Sequence, residues 1–172
     1  MDMITDATHV ARHEAARTPH AARLGGEFLT FRLGAEEYGI DILRVQEIRS
    51  YEVPTRIANA APFIKGVVNL RGVIVPIVDL RMVLECERCE YDTLTAVIML
   101  NLHSRIVGAV VDSVSDVLEL GPESIRPPPP SATGSGRWLI GGVGHCAGRT
   151  VLLLDTEALM AHADGGITLA RC

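Results

Sequence analysis

Cys86-Glu87-Arg88-Cys89 is a C-x-x-C pair, the spacing used by zinc sites and by dithiol redox centres. A structural zinc needs two more ligands, and His145-Cys146 could supply them only if the fold brought the segments together. A redox pair opens a helix after a strand, where the helix amino end lowers the thiol pKa. Here the pair closes a short helical stretch and precedes a strand, so unspecialised thiols are the plainer reading. Gly142-Val143-Gly144-His145-Cys146-Ala147 satisfies G-x-G-x-x-A, but a dinucleotide site needs a helix directly afterwards to hold the pyrophosphate. The residues in that place, TVLLLD, have the character of a strand, and the glycines read as hairpin glycines. His9 and His13 stand four apart, a two-point metal grip on a helix, with no third ligand beside them. Asp41, Asp112 and Asp116 are scattered, as turn or surface carboxylates are, and no G-x-S-x-G occurs. Catalysis has no strong signal.

Two charges carry a different suggestion. Glu47 sits among apolar neighbours in RVQEI, and Arg71 occupies the tip of NLRG before a strongly apolar strand. Brought together, they would form a bidentate pair fixing local geometry at a binding surface. Apart, they are two independent solvated charges.

The elements that must position these groups come in two copies. FLTFRLGAEEYGIDILRVQEI (28–48) aligns with VIMLNLHSRIVGAVVDSVSDV (97–117), placing Gly39 on Gly108, Val45 on Val114, Glu47 on Asp116 and Ile48 on Val117. GVVNLRGVIVPIVD (66–79) aligns with GVGHCAGRTVLLLD (142–155), with Gly66, Gly72 and Asp79 on Gly142, Gly148 and Asp155. Two copies of one unit imply two similar subdomains with a groove or shared core between them, a binding scaffold rather than an enzyme. Strand signals run over 28–33, 38–42, 44–50, 65–69, 73–78, 95–102, 105–112, 114–119 and 150–154. Short strands punctuated by Gly, Pro and polar turns indicate barrels or a sandwich.

Within the first copy, Gly34-Ala35-Glu36-Glu37 reads as a tight turn, and strict alternation would put Val45 and Glu47 on one face, Arg44, Gln46 and Ile48 on the other. Pro76 lacks an N–H, so its strand should be an edge or bulged there. Asp79 and Asp155 each precede a helical stretch, as N-caps. Pro127–Pro130 and SATGSG read as an exposed polyproline loop running into flexible chain.

Composition narrows the function. The net charge is -5, aromatic residues total seven, and no Lys/Arg cluster interleaves with rings, which disfavours nucleic acid. No apolar run reaches the roughly 18 residues of a membrane span, and the N-terminus lacks a secretory pattern. A cytoplasmic location is expected, with the four cysteines (Cys86, Cys89, Cys146, Cys172) as thiols rather than a disulfide framework.

EYGIDILRVQEIRSYEVPTRI, FIKGVVNLRGVIVPIVDLR and IVGAVVDSVSDVLEL closely resemble the CheW family of bacterial chemotaxis coupling proteins, over about residues 28–160. The resemblance implies a mainly all-β fold of two five-stranded, SH3-like barrels around a common hydrophobic core. It divides the chain into a mobile tail over 1–26, a CheW-like domain over 27–162 and a C-terminal tail over 163–172. It also implies a non-catalytic, cofactor-free adaptor tying transmembrane chemoreceptors to the histidine kinase CheA, cytoplasmic but recruited to membrane receptor arrays without inserting in the bilayer. Its partners would be the kinase's regulatory domain and the helical hairpin tip of the receptor. By the same resemblance, Val45, Glu47, Ile48 and Arg71 fall in partner-binding motifs. Ile74, Val97, Val114 and Val117 are candidates for an apolar groove, and Arg126 for a contact between neighbouring units. The alternative for each valine is ordinary core packing. The CERC stretch, His145-Cys146, the loop after Pro130 and GGVGHCAG depart from the family pattern. They keep a thiol-dependent metal or redox protein in view as a rival, besides a coupling role in surface motility or gene control.

Overall fold

The computed structural model describes residues 25–84, 86, 90–128 and 137–170. His9, His13, Cys89, the loop from Pro129 to Gly136 and Cys172 lie outside the described residues. The chain lays down β1 (Gly26–Leu33), β2 (Glu36–Asp41), β3 (Val45–Ser50), β4 (Ile64–Leu70) and β5 (Val73–Asp79), then a one-turn helix α1 (Leu80–Val83). The second copy supplies β6 (Ala96–Leu102), β7 (Arg105–Val111), β8 (Ser113–Leu120), the two-residue β9 (Ile125–Arg126), β10 (Ile140–Cys146), β11 (Arg149–Leu154) and α2 (Thr156–Ala170).

The two copies interleave rather than fold side by side. One sheet runs β8-β1-β2-β11-β10-β9 and the other β3-β6-β7-β5-β4. Each therefore takes the two leading strands of one copy and the later strands of the other. The last strand of each copy docks in parallel on the second strand of the other: Leu153 of β11 opposite Gly39, and Ile77 of β5 opposite Gly108. The repeated glycine makes that approach possible. A Cβ on Gly39 would stand 2.9 Å from a Val151 methyl, and one on Gly108 would stand 2.6 Å from Ile77 Cδ1.

Each sheet curls around its own apolar cluster. Phe28, Leu120, Val151 and Leu153 fill the first, and Leu70, Val75, Ile77, Val97, Met99 and Val110 fill the second. A larger core, including Phe31, Ile40, Ile98, Leu100, Leu139 and Leu159, is shared between them. This is the two-barrel architecture with a common core that the duplication implied. Burying apolar area at roughly 25 cal/mol per Å² makes these clusters the main stabilising term.

Several local expectations change. Glu36 and Glu37 already belong to β2, leaving Gly34-Ala35 as the turn. Gly142 and Gly144 lie inside β10, a strand their low β propensity concealed, and the turn glycine is Gly148. Pro76 sits in an internal strand, but pairing with β7 starts only at Ile77, so its missing N–H interrupts no ladder on that side. α2 runs to Ala170, past the boundary expected at 162, with Ala163 fully buried. The capping aspartates behave as expected. Asp79 Oδ1 accepts from the Arg81 N–H at 3.0 Å, and Asp155 Oδ1 accepts from Glu157 and Ala158 N–H at 3.0 and 3.2 Å.

Candidate partner-binding site

The β4–β5 hairpin turns on Arg71 (φ 51°) and Gly72 (φ 90°), both left-handed, as the tightest two-residue turns require. The Gly72 N–H donates to Asn69 Oδ1 at 2.7 Å and stiffens the turn. Arg71, the bulkier choice for such a position, reaches across to β3, where its Nη2 donates to Glu47 Oε1 at 3.0 Å. The two charges do meet, through one hydrogen bond rather than the bidentate fork. Arg71's side chain is 69% exposed, so the pair is worth about 0–1 kcal/mol and acts on geometry more than on stability.

That contact ties together the two end strands of the second sheet. Below it lies a cleft of about 250 Å³, walled by Arg49, Ser50 and the Glu52–Thr55 segment on one side and by Val67–Asn69 on the other. Ile77, Val97 and Met99, all from the barrel core, line its floor. At the far end the backbones close the seam: Thr55 N–H donates to Val67 O at 2.9 Å, and Val67 N–H donates to Thr55 O at 2.8 Å. A β-bulge shapes the near end. Val45 opposes Leu100 while Glu47 opposes Met99, so one residue of β3 is extra. Opposed residues share a face, so Val45 and Ile48 point with Leu100 and Ile98 toward the shared core, and Glu47 points with Met99 toward the cleft. The strict alternation expected for β3 fails at this bulge.

The first sheet repeats the design. β8 carries the same bulge, with Val114 opposite Phe31 and Val117 opposite Leu29. Val45 and Val114 both pack against the shared core, while Ile48 and Val117 are 45% and 49% exposed at its margin. Asp116, in the place of Glu47, also meets an arginine. Arg149 donates to both its carboxylate oxygens, at 3.0 and 3.1 Å, and forks onto Glu37 at 2.8 and 3.0 Å. The Arg149 bonds to Asp116 and one from Thr30 hold the Asp116 carboxyl below its ordinary value of 3.8. Sequence reading missed Arg149 and Glu37, because the arginine stands two residues beyond the position matching Arg71. Of the other candidates, Ile74 is 62% exposed beside the hairpin tip, Val97 is buried in the cleft floor, and Arg126 is exposed on β9. Ile74 and Val97 thus belong to one sheet, Val114 and Val117 to the other.

A buried charged cluster beside the second sheet gave little signal in the sequence. Arg81 is 1% exposed, its Nε and Nη2 forking onto the buried Asp79 at 3.0 and 3.1 Å. Its Nη1 donates to Asp112 Oδ1 at 3.1 Å and to the Glu90 carbonyl. Asp112 in turn accepts from the Gly34 N–H at 2.7 Å, joining the second sheet to the first sheet's β1–β2 turn. Burial opposes Arg81's charge, but these carboxylates outweigh it and hold the guanidinium more basic than usual.

The thiols do not converge among the described residues. Cys86 packs against the shared core and Cys146 against the first sheet's own cluster. No group of three or more His, Cys, Asp or Glu placed to hold a metal occurs among the described residues. No helix among them is long and apolar enough to cross a membrane.

The family model for the CheW-like domain matches residues 27–164. Chemotaxis protein CheW of Klebsiella aerogenes is 54% identical over 141 residues, covering 82% of this chain and 85% of that protein. Its counterpart in Rhizobium meliloti is 34% identical over 140 residues, covering 81% and 90%. The crystal structure of the scaffolding protein TtCheW from Thermoanaerobacter tengcongensis superposes with a TM-score of 0.71 at 27% identity, covering 76% of this chain and 89% of that one. The match runs from β1 into α2, through both interleaved copies, and the chain belongs to the CheW family.

Proposed function

We propose that this protein is a non-catalytic adaptor that couples transmembrane chemoreceptors to a CheA-type histidine kinase. It would act in the cytoplasm and gather at receptor arrays by protein contacts alone. The observation that carries the reading is the seam of the second barrel: an exposed ion pair, Glu47–Arg71, beside a largely polar-walled cleft, with Val73 and Ile74 exposed just after the β4–β5 turn. Apolar anchors with a polar rim suit a protein partner, the anchors giving affinity and the charges register. The chemotaxis names of the two relatives, and the third being a scaffolding protein, support the same reading. Signal transfer would be a population shift, the adaptor favouring a kinase arrangement that the receptor biases. Half-exposed Ile48 on β3 and Val117 on β8, with Arg126 on β9, are further candidate contacts.

The test is calorimetric titration with the regulatory domain of a CheA-type kinase from the same source. Saturable one-to-one binding, weakened at least tenfold by Glu47→Lys in protein that melts like the wild type, is the expected result. Absence of binding by folded wild-type protein would overturn the kinase assignment.

A further inference from the structure

The cleft wall has an anchor of its own. Tyr91 lies outside every strand, in the stretch leading into β6, and its hydroxyl donates to Asp79 Oδ2 at 2.9 Å. Asp79 is an immobile acceptor, fully buried, capping α1 and gripped by the Arg81 fork. The Arg81 guanidinium carbon is 4.7 Å from the centroid of the Tyr91 ring, and the Tyr51 ring stacks on it at 4.3 Å. Tyr51 follows directly on β3, between Ser50 and the Glu52–Thr55 part of the wall, and its N–H donates to Thr95 O at 3.1 Å. From there Glu52 and Val53 run exposed to Thr55, where the bridge to Val67 takes hold. The wall is thus held at its far end by backbone and at its near end by two stacked rings on a buried carboxylate.

We infer that Tyr91 is a positioning residue for partner docking: through its hydroxyl on Asp79 it fixes Tyr51, and with it the Glu52–Thr55 wall, at the spacing that admits a segment of the kinase's regulatory domain. The inference rests on the cleft being the docking site proposed for the kinase. A hydrogen bond to an ionised acceptor is stronger and more directional than a neutral one, which suits a positioning task. Burial, and then the bond to Asp79, push ionisation of Tyr91 well above its ordinary value, so the hydroxyl keeps its proton at neutral pH. A wall held ready before docking spares the complex the cost of ordering it, a gain that appears mainly as slower dissociation.

The experiment is Tyr91→Phe in the full chain, which keeps both ring contacts and deletes only the hydroxyl. Two readouts decide it. Amide hydrogen exchange, which needs no partner, should quicken several-fold at Tyr51–Thr55 while β6 and β7 stay protected. Binding to the kinase regulatory domain should weaken about fivefold or more, carried by faster dissociation. Unchanged exchange at Tyr51–Thr55 overturns the inference, whether or not a partner binds. Quickened exchange with wild-type affinity also overturns it, because the wall would then not matter for docking. If wild-type protein fails to bind the kinase domain at all, the adaptor assignment falls, and the exchange result still decides whether Tyr91 holds the wall.

Discussion

Gly66→Ala tests how the second barrel closes. Gly66 has φ +145°, and a Cβ there would stand 2.2 Å from the Thr55 carbonyl oxygen and 2.7 Å from its carbon. Both are backbone atoms, so no side chain can rotate away, and the Thr55–Val67 bridge must open to admit the methyl. Two backbone hydrogen bonds at about 1 kcal/mol each are put at risk. The unfavourable φ adds about 1–3 kcal/mol for a residue with a side chain. The expected loss is about 3–5 kcal/mol, which for a chain of this size lowers the melting temperature by roughly 6–20 °C. Gly72→Ala is the matched control, because Gly72 has φ +90° but nothing lies within 4 Å of the added carbon. It should show the cost of φ alone. Thermal melts followed by circular dichroism, with amide exchange at Thr55 and Val67, measure both. If Gly66→Ala melts no lower than Gly72→Ala and leaves those amides protected, the Thr55–Val67 bridge does not close the barrel.

Arg81→Met should cost about 3–5 kcal/mol in urea unfolding, because it leaves Asp79 buried without its counter-charge; a loss below about 1 kcal/mol would refute that dependence of Asp79 on Arg81. Glu47→Lys and Arg71→Asp should each weaken kinase-domain binding while changing stability by at most about 1 kcal/mol, since the pair is exposed. The His162 ring stacks 4.2 Å from that of Phe63 and lies tilted 4.5 Å from that of Trp138, and burial lowers its pKa below the ordinary 6.5. The unfolded chain therefore takes up the proton first on acidification, so His162's contribution is complete above about pH 6.5 and is lost as pH falls through its folded value. Melts between about pH 7.5 and 5 should fall more steeply in wild type than in His162→Phe, and equal slopes would refute the argument.

What could be read in the sequence was what is local or repeated. Strand positions, the Asp79 and Asp155 caps and the duplicated Gly39/Gly108 follow from composition and spacing, and the meeting of Glu47 with Arg71 from their unusual contexts. The bulges in β3 and β8 were not legible, because one extra residue leaves composition unchanged while moving Ile48 to the other face. β10 was hidden by Gly141, Gly142 and Gly144, whose place beside β11 is set by pairing rather than propensity. Arg81 reads as a surface charge, since its burial depends on Asp112, 31 positions away. Tyr91 stands in a polar stretch, and only the fold lays its ring against Tyr51.

The exchange of strands between copies has a consequence for how the chain is made. β1 finds one neighbour in β2 at once, but its other, β8, pairs Gly26 with Leu120 and must wait for most of the chain. β2 waits longer still, for Leu152 and Leu153. During synthesis the first copy therefore leaves the ribosome with open edges. The second barrel cannot close until β7 emerges, nor the first until β11 does. So large a share of distant pairings predicts slow, late folding. A cut between the copies would not release two small domains but two incomplete halves, able to recover the fold only by finding each other.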